Sequence, residues 1–207
     1  FHAYPEGARK AVEEHLVEGA AYASSNGVAR IHFTVSPEHM EGFKTLLAEK
    51  VPVYEKRFGI RYDISFSVQK PATDTIAVNP DNTPFRQEDG RLLFRPAGHG
   101  ALIENLNEID ADVIFIKNID NVVPDKLKGD TVLYKKVIAG VLVGLQQQAF
   151  AYLQLLDSGK YTHEQVLEIL QFLQKTLYCK NQEVRNLEDS ELVIYLKKKL
   201  NRPMRVC

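Results

Sequence analysis

Hydrophobic and polar positions change period several times in the first seventy residues. Pro5 suits the first turn of a helix, and apolar residues then recur at helical spacing over residues 8–23, until Asn26-Gly27 interrupts them. Apolar and polar residues alternate over residues 29–36 and again over residues 62–69. Because this alternation has the period of a strand, we expect a strand in each stretch.

The residues between these two strands predict a helix. Ser36 is a suitable N-cap, Pro37 fits the first helical position, and the helical pattern runs to Phe58-Gly59. A strand, a helix and a second strand in this order favour a parallel pair with a right-handed crossover.

The next segment adds a turn-rich excursion and a further helix and strand. Asn, Asp, Pro and Gly are frequent over residues 70–96, a helix is predicted from Gly98 to Ile109, and the apolar run 112–119 resembles a strand buried on both faces. We therefore expect residues 1–128 to form an α/β core, Rossmann-like, with a mostly parallel sheet.

The pattern is helical from Gly129 onward. Helices are predicted over residues 131–156, 162–178 and 189–200, and residues 129–201 are expected to form a helical insertion or cap. Residues 202–207 predict the start of a strand that returns to the core. The chain begins without Met, so we expect a fragment of a longer protein.

Composition argues against several classes of partner. Lys and Arg number 26 against 27 Asp and Glu, so no basic field favours nucleic acid. The longest apolar run, residues 137–145, is too short to span a membrane. Cys179 and Cys207 do not suggest a disulfide framework, which favours a reducing, cytoplasmic setting.

Gly98-His99-Gly100 is the first candidate for chemistry. Glycine permits positive φ and leaves room beside the backbone, and the helix that follows offers unpaired N–H groups, so a nucleotide base or phosphate fits here. The alternative is a glycine-rich turn with a capping histidine, which is the more common outcome for so short a motif.

Asp120 is the second candidate, because it follows the predicted strand 112–119. Ligands of open α/β sheets collect at the carboxyl ends of strands, and Mg²⁺ prefers one or two carboxylates with phosphate and water oxygens. In the alternative reading, Asn118, Asp120 and Asn121 only close a turn.

Three motifs in this order resemble the UDP-sugar pyrophosphorylase family of nucleotidyltransferases. They are SFSVQKP, RPAGHGALIENL and DVIFIKNIDN, and the likeness extends over residues 29–121. Within that superfamily, the sequence is most similar to an uncharacterised bacterial branch. The resemblance implies a nucleotide-diphospho-sugar transferase type of fold. The family's N-terminal glycine-rich loop has no counterpart in this chain.

The resemblance also implies roles for individual residues. Asp120 and His99 correspond to catalytic positions, Asp120 as the Mg²⁺ ligand and His99 beside the phosphates or sugar. Gln69 and the backbone at Gly98 correspond to positions that read uracil. The implied substrate-binding residues are Gln69, Gly98, Gly100, Asn118 and Asn121.

The implied activity is formation or use of a UDP-sugar from UTP and a sugar-1-phosphate, with Mg²⁺. Two alternatives stay open: a non-catalytic protein that binds nucleotide sugars or serves as a scaffold, and an enzyme resembling glycosyltransferases. The apolar stripe of the helical segment, from Val137 to Leu156, is core or mediates association into a homo-oligomer.

Overall fold

The computed structural model describes residues 1–181, 184 and 187–206, and the chain divides into two units, Phe1–Val132 and Leu133–Cys207. Strands and helices alternate in the first unit, whereas helices form the described part of the second. The elements are β1 (His2–Tyr4), β2 (Gly7–Arg9), α1 (Ala11–Tyr22), β3 (Ser24–Ser25), β4 (Val28–Thr34), α2 (Met40–Phe58), β5 (Arg61–Ser67), β6 (Thr75–Ile76), β7 (Phe94–Arg95), α3 (Ile103–Asn107), α4 (Lys128–Asp157), α5 (His163–Gln171) and α6 (Asp189–Leu200).

The central sheet of the first unit has the order β3-β4-β5. β4 and β5 are parallel, as the order strand, helix, strand predicts, and β3 pairs antiparallel with the start of β4. The other two sheets are antiparallel pairs, β1 with β2 and β6 with β7. The predicted Rossmann-like, mostly parallel sheet is therefore wrong: the described residues form short antiparallel and mixed sheets.

One face of the β4–β5 pair forms the core of this unit. The apolar residues of β4 alternate toward α1 and α2, and Phe33 stacks on Phe66 at a centroid distance of 6.0 Å. Burial of this apolar area is the main stabilising term of the unit. The buried members are Val12, Leu16, Val17, Phe33, Val35, Leu47 and Tyr54.

The predicted strand 112–119 is not a strand in the structure. Lys117 Nζ lies 2.5 Å from Glu18 Oε2, and the Ile119 carbonyl accepts a bond from His15 Nε2 at 2.9 Å, so these two contacts tie the segment to α1. Ile116 is 63% exposed, which contradicts burial on both faces. An apolar run specifies burial, but it does not specify pairing with another strand.

The first helix also begins later than predicted. The chain around Pro5 turns between β1 and β2, and Gly7 has φ +128°, which is not helical. The side chain of Glu13 accepts a bond from the Lys10 backbone N–H at 2.9 Å, which satisfies a donor at the start of α1. The helix therefore begins at Ala11.

The second unit packs its helices around an aliphatic core. Leu156 of α4, Val166 and Ile169 of α5, and Leu196 of α6 are almost completely buried there. Thr162 is the N-cap of α5: Thr162 Oγ1 accepts from the Gln165 backbone N–H at 3.3 Å, and Gln165 Oε1 accepts from the Thr162 N–H at 2.9 Å. The helix predicted over 162–178 ends in a π-helical turn, Phe172–Thr176.

Residues 202–206, predicted to start a strand, have no helix or strand, and Cys207 lies outside the described residues. Within the described part of the chain, no helix combines the length and the apolar character that crossing a membrane requires.

Candidate functional site

The carboxyl end of β5 is held to α3 by a buried asparagine. Asn105 Nδ2 donates to Ser67 Oγ and to the Val68 carbonyl, each at 2.9 Å. Both acceptors lie at the end of β5, so the side chain fixes α3 against the strand terminus. The amide orientation follows from the Val68 carbonyl, which can only accept.

Lys70 adds a charged link at the same place. Its ammonium group donates to the carboxylate of Glu108 and lies 3.6 Å from Glu104 Oε2. The groups of this ion pair are partly exposed, so its contribution to stability is small, but it is consistent with the position that Asn105 gives to α3.

Gln69 joins the end of β5 to the loop that precedes the 3-10 turn His99–Leu102. In the orientation that satisfies its carboxamide, Oε1 accepts from the Ala97 N–H at 2.9 Å and from Thr73 Oγ1 at 3.1 Å, and Nε2 donates to the Ala97 carbonyl at 3.3 Å. The opposite orientation gives one bond of 3.4 Å to Asp74, so we adopt the first. Gln69 therefore supports the loop backbone.

Gly98, His99 and Gly100 are exposed in this loop. Gly98 has φ −66°, and Gly100 is not among the glycines with positive φ, so the backbone conformation does not require glycine at either position. No atom comes within 4 Å of the place where a Cβ would lie on either glycine. Packing within the described chain does not require these glycines, and their open faces leave the backbone accessible to a ligand.

A chain of hydrogen bonds continues from Ser67 along the face of β4 and β5 opposite the core. His32 Nε2 lies 2.8 Å from Ser67 Oγ, and His32 Nδ1 lies 2.8 Å from Ser65 Oγ. Thr34 Oγ1 is 3.1 Å from Ser67 Oγ. These residues and Asn105 form what we call the polar row: His32, Thr34, Ser65, Ser67 and Asn105.

Burial lowers the pKa of one member of the polar row, His32, and isolates a polar atom of another, Asn105. Partial desolvation lowers the pKa of His32 below its ordinary value, so the imidazole is neutral near pH 7. Asn105 is only 3% exposed, and its Oδ1 has no hydrogen-bond partner. A buried acceptor without a donor costs about 1–3 kcal/mol, so a donor that reached it would stabilise the structure.

Asp120 belongs neither to the polar row nor to the loop of Gly98 and Gly100. It lies in a turn closed by a 3.2 Å hydrogen bond from the Asn121 N–H to the Asn118 carbonyl. Asn118, Asp120 and Asn121 are all exposed. Among the described residues, no group of three His, Cys, Asp or Glu side chains is arranged to hold a metal ion. Asp120 therefore provides one carboxylate, and Mg²⁺ at this position needs phosphate and water oxygens as its other ligands.

A cavity of about 440 Å³ lies between β1 and the start of the turn before α4, lined in part by Tyr4 and Asp125. The charged groups behind it are already paired, since Arg9 and Lys128 both contact Asp125. This region is therefore a structural ion network, and the strand ends of β4 and β5 are the better candidate.

One comparison with known proteins identifies a family. The family model described as "Domain of unknown function (DUF4301)" matches residues 1–207. The chain belongs to this family. No curated protein and no solved structure matched the chain in the other two comparisons.

In this DUF4301 chain, the predicted site residues fall into two groups. Gln69 lies beside the loop of Gly98, His99 and Gly100 through its bonds to Ala97. Asn118, Asp120 and Asn121 lie together in the turn that His15 of α1 contacts through the Ile119 carbonyl. Within the described residues, the hydrogen bonds and ion pairs do not link one group to the other.

The polar row was not predicted from the sequence. The stretches 29–36 and 62–69, which contain His32 and the serines of β5, were predicted only as strands. A detectable signal exists, because HFT in β4 and SFS in β5 place polar residues at matching alternate positions. Its significance depends on strand register, which places His32 beside Ser65 and Thr34 beside Ser67.

Proposed function

We propose that this protein binds a uridine nucleotide or nucleotide sugar at the carboxyl ends of β4 and β5 and uses it in Mg²⁺-dependent nucleotidyl transfer. The contact between Gln69 and Ala97 carries the proposal, because it brings two separate motifs together at strand ends. Ligands bind at the carboxyl ends of parallel strands in open α/β sheets, and β4 and β5 are a parallel pair. The open backbone at Gly98 and Gly100 adds support.

The proposed reaction joins UTP and a sugar-1-phosphate. A phosphate oxygen of the sugar-1-phosphate attacks the α-phosphorus of UTP, a new P–O bond forms, and pyrophosphate leaves. The protein contributes mainly by positioning the substrates and by stabilising negative charge. Asp120 would hold Mg²⁺, which neutralises phosphate charge when bound, and exposed His99 would contact the phosphates or the sugar.

Nucleotide-sugar binding without turnover is the second candidate. It is favoured by the metal ligands at hand, since no group of three or more His, Cys, Asp or Glu side chains among the described residues is arranged to hold a metal ion. Binding at Gln69 and Gly98 does not require that metal site. In this case the protein would carry or sense a nucleotide sugar.

The two candidates differ in pyrophosphate release. The protein is incubated with UTP, Mg²⁺ and a panel of sugar-1-phosphates, and pyrophosphate is measured for wild type, Asp120→Asn and the control Asp112→Asn, an exposed aspartate of the same segment. Release that is lost only in Asp120→Asn supports the transferase. Binding of UDP-sugars without release supports the binding protein, and no thermal shift with UTP, UDP or UDP-sugars would exclude both.

A further inference from the structure

The polar row lies on a single face of two adjacent strands. Parallel register places His32 opposite Ser65 and Thr34 opposite Ser67, while the intervening residues Phe33 and Phe66 face the core. Ser65 is exposed, and His32 and Thr34 are half-buried. A ligand on this face therefore meets hydroxyl and imidazole groups at the strand ends, beside α3.

The hydrogen bonds of His32 leave Ser65, at the exposed end of the row, with a free donor or a free acceptor. A neutral imidazole has one N–H and one bare nitrogen, so His32 donates to one serine and accepts from the other. If it donates to Ser65 Oγ, the Ser65 hydroxyl hydrogen is free. If it accepts from Ser65, the oxygen lone pairs of Ser65 are free. The exposed end of the row thus offers either a donor or an acceptor.

The row also lacks a free charge among the described residues. His32 is neutral near pH 7 because burial lowers its pKa. On the same face, Arg30 and Asp63 lie 3.7 Å apart and offset each other, and Lys70 is paired with Glu104 and Glu108. A phosphate would find no unpaired cation here, whereas an uncharged hydroxyl-rich group would find matching partners.

Asn105 closes the row at α3. Its Nδ2 is used by Ser67 and Val68, which leaves the buried Oδ1 as an acceptor with no donor. Because this atom is buried, Asn105 supports the row by holding Ser67 and α3, and the exposed end of the row at Ser65 is the part that a ligand can reach.

We propose that the polar row is the subsite for the sugar ring of a nucleotide sugar, with Ser65 and Thr34 bonding its hydroxyls and Asn105 holding Ser67 and α3 in place. This assignment rests on the proposed nucleotide-sugar binding at the neighbouring Gln69 and Gly98. It adds the group that distinguishes a UDP-sugar from UDP.

The test compares the dissociation constants of UDP and of a panel of UDP-sugars, namely UDP-glucose, UDP-galactose, UDP-N-acetylglucosamine and UDP-xylose, by calorimetry. At least one UDP-sugar should bind more tightly than UDP to the wild type. Ser65→Ala and Thr34→Val should each reduce that preference by about 3- to 10-fold, the effect of one lost hydrogen bond, with UDP affinity unchanged. Ser25→Ala, an exposed serine of the same sheet, is the matched control.

The possible outcomes separate the two proposals. Binding of UDP together with a sugar preference that survives in both variants overturns the sugar subsite alone. The same holds if UDP binds and no sugar of the panel improves on it. Failure of UDP and of every UDP-sugar to bind overturns both the subsite and the proposed function. Circular dichroism of each variant verifies that Ser65→Ala and Thr34→Val retain the fold.

Discussion

Lys128 Nζ lies 2.6 Å from Glu14 Oε2, and the two side chains are 8% and 0% exposed. This buried ion pair connects the first turn of α4 to the first turn of α1, and Tyr4 OH adds a 2.7 Å bond to the same carboxylate. Lys128→Met removes the ammonium group and leaves the buried Glu14 carboxylate with the more distant Arg9 Nη1, 3.6 Å from Oε2, as its cationic partner. We expect the free energy of unfolding of the first unit to fall by about 3 kcal/mol, measured by hydrogen exchange of the α1 amides.

Lys44→Met is the control for this pair, because Lys44 and Glu41 form an exposed contact on α2. Its effect should stay below about 0.5 kcal/mol. The double variant Glu14→Gln/Lys128→Met should recover part of the loss, since a neutral amide then replaces the buried carboxylate that has lost Lys128. Equal effects of Lys128→Met and Lys44→Met would show that burial does not control the strength of the Lys128–Glu14 pair.

Substitution by alanine should have opposite effects on stability at Gly42, within α2, and at Gly59, directly after it. Gly59 ends the helix with φ +65°, and its N–H donates to the Glu55 carbonyl at 2.9 Å. Gly59→Ala forces a Cβ into the left-handed region and should cost about 1 kcal/mol. Gly42 is helical with open space around it, so Gly42→Ala should stabilise by about 0.5–1 kcal/mol. Urea denaturation measures the free energy of unfolding of both variants. Changes of the same sign would contradict a left-handed conformation at Gly59 and a helical one at Gly42.

Local signals predicted much of this fold. Ser36-Pro37 and Gly59 bracket the helical stretch that contains α2, and alternation in β4 and β5 selects the residues that reach the core. The Thr162–Gln165 cap of α5 likewise depends on residues three positions apart. Each of these features is decided within a few residues, which is why sequence periodicity and capping chemistry identify them.

Features that depend on distant partners were missed or mistaken. The run 112–119 has strand composition, yet it lies against α1 because Lys117 and Ile119 find partners there. The polar row joins His32 to Ser65, 33 positions away, and to Asn105 through Ser67. Only the register of β4 and β5 and the docking of α3 bring these residues together. Gln69 and Gly98 were named from motifs, and their proximity through Ala97 required the structure.

His15 should make stability depend on pH. Burial is the main cause that lowers its pKa below the ordinary value, and its Nε2–H donates to the Ile119 carbonyl. As pH falls below about 6.5, the unfolded chain takes up the proton before the folded one, so the folded state loses stability. Wild type should therefore lose more stability than His15→Gln between pH 7.5 and pH 5.5, by urea denaturation. A stability difference that is constant or grows in favour of wild type at low pH would contradict this.

Gln69 should control the backbone of the candidate nucleotide loop. Gln69→Leu removes both partners of Ala97, so hydrogen exchange at the Ala97 N–H should accelerate by about tenfold, corresponding to one lost bond, while the α1 amides keep their rates. Gln69→Glu retains an oxygen that accepts from this N–H and should preserve most of the protection. Unchanged exchange at Ala97 in Gln69→Leu would show that the loop is held by other contacts. Gln69 would then no longer connect the Gly98–Gly100 backbone to the strand ends, and the main support for nucleotide binding there would be lost.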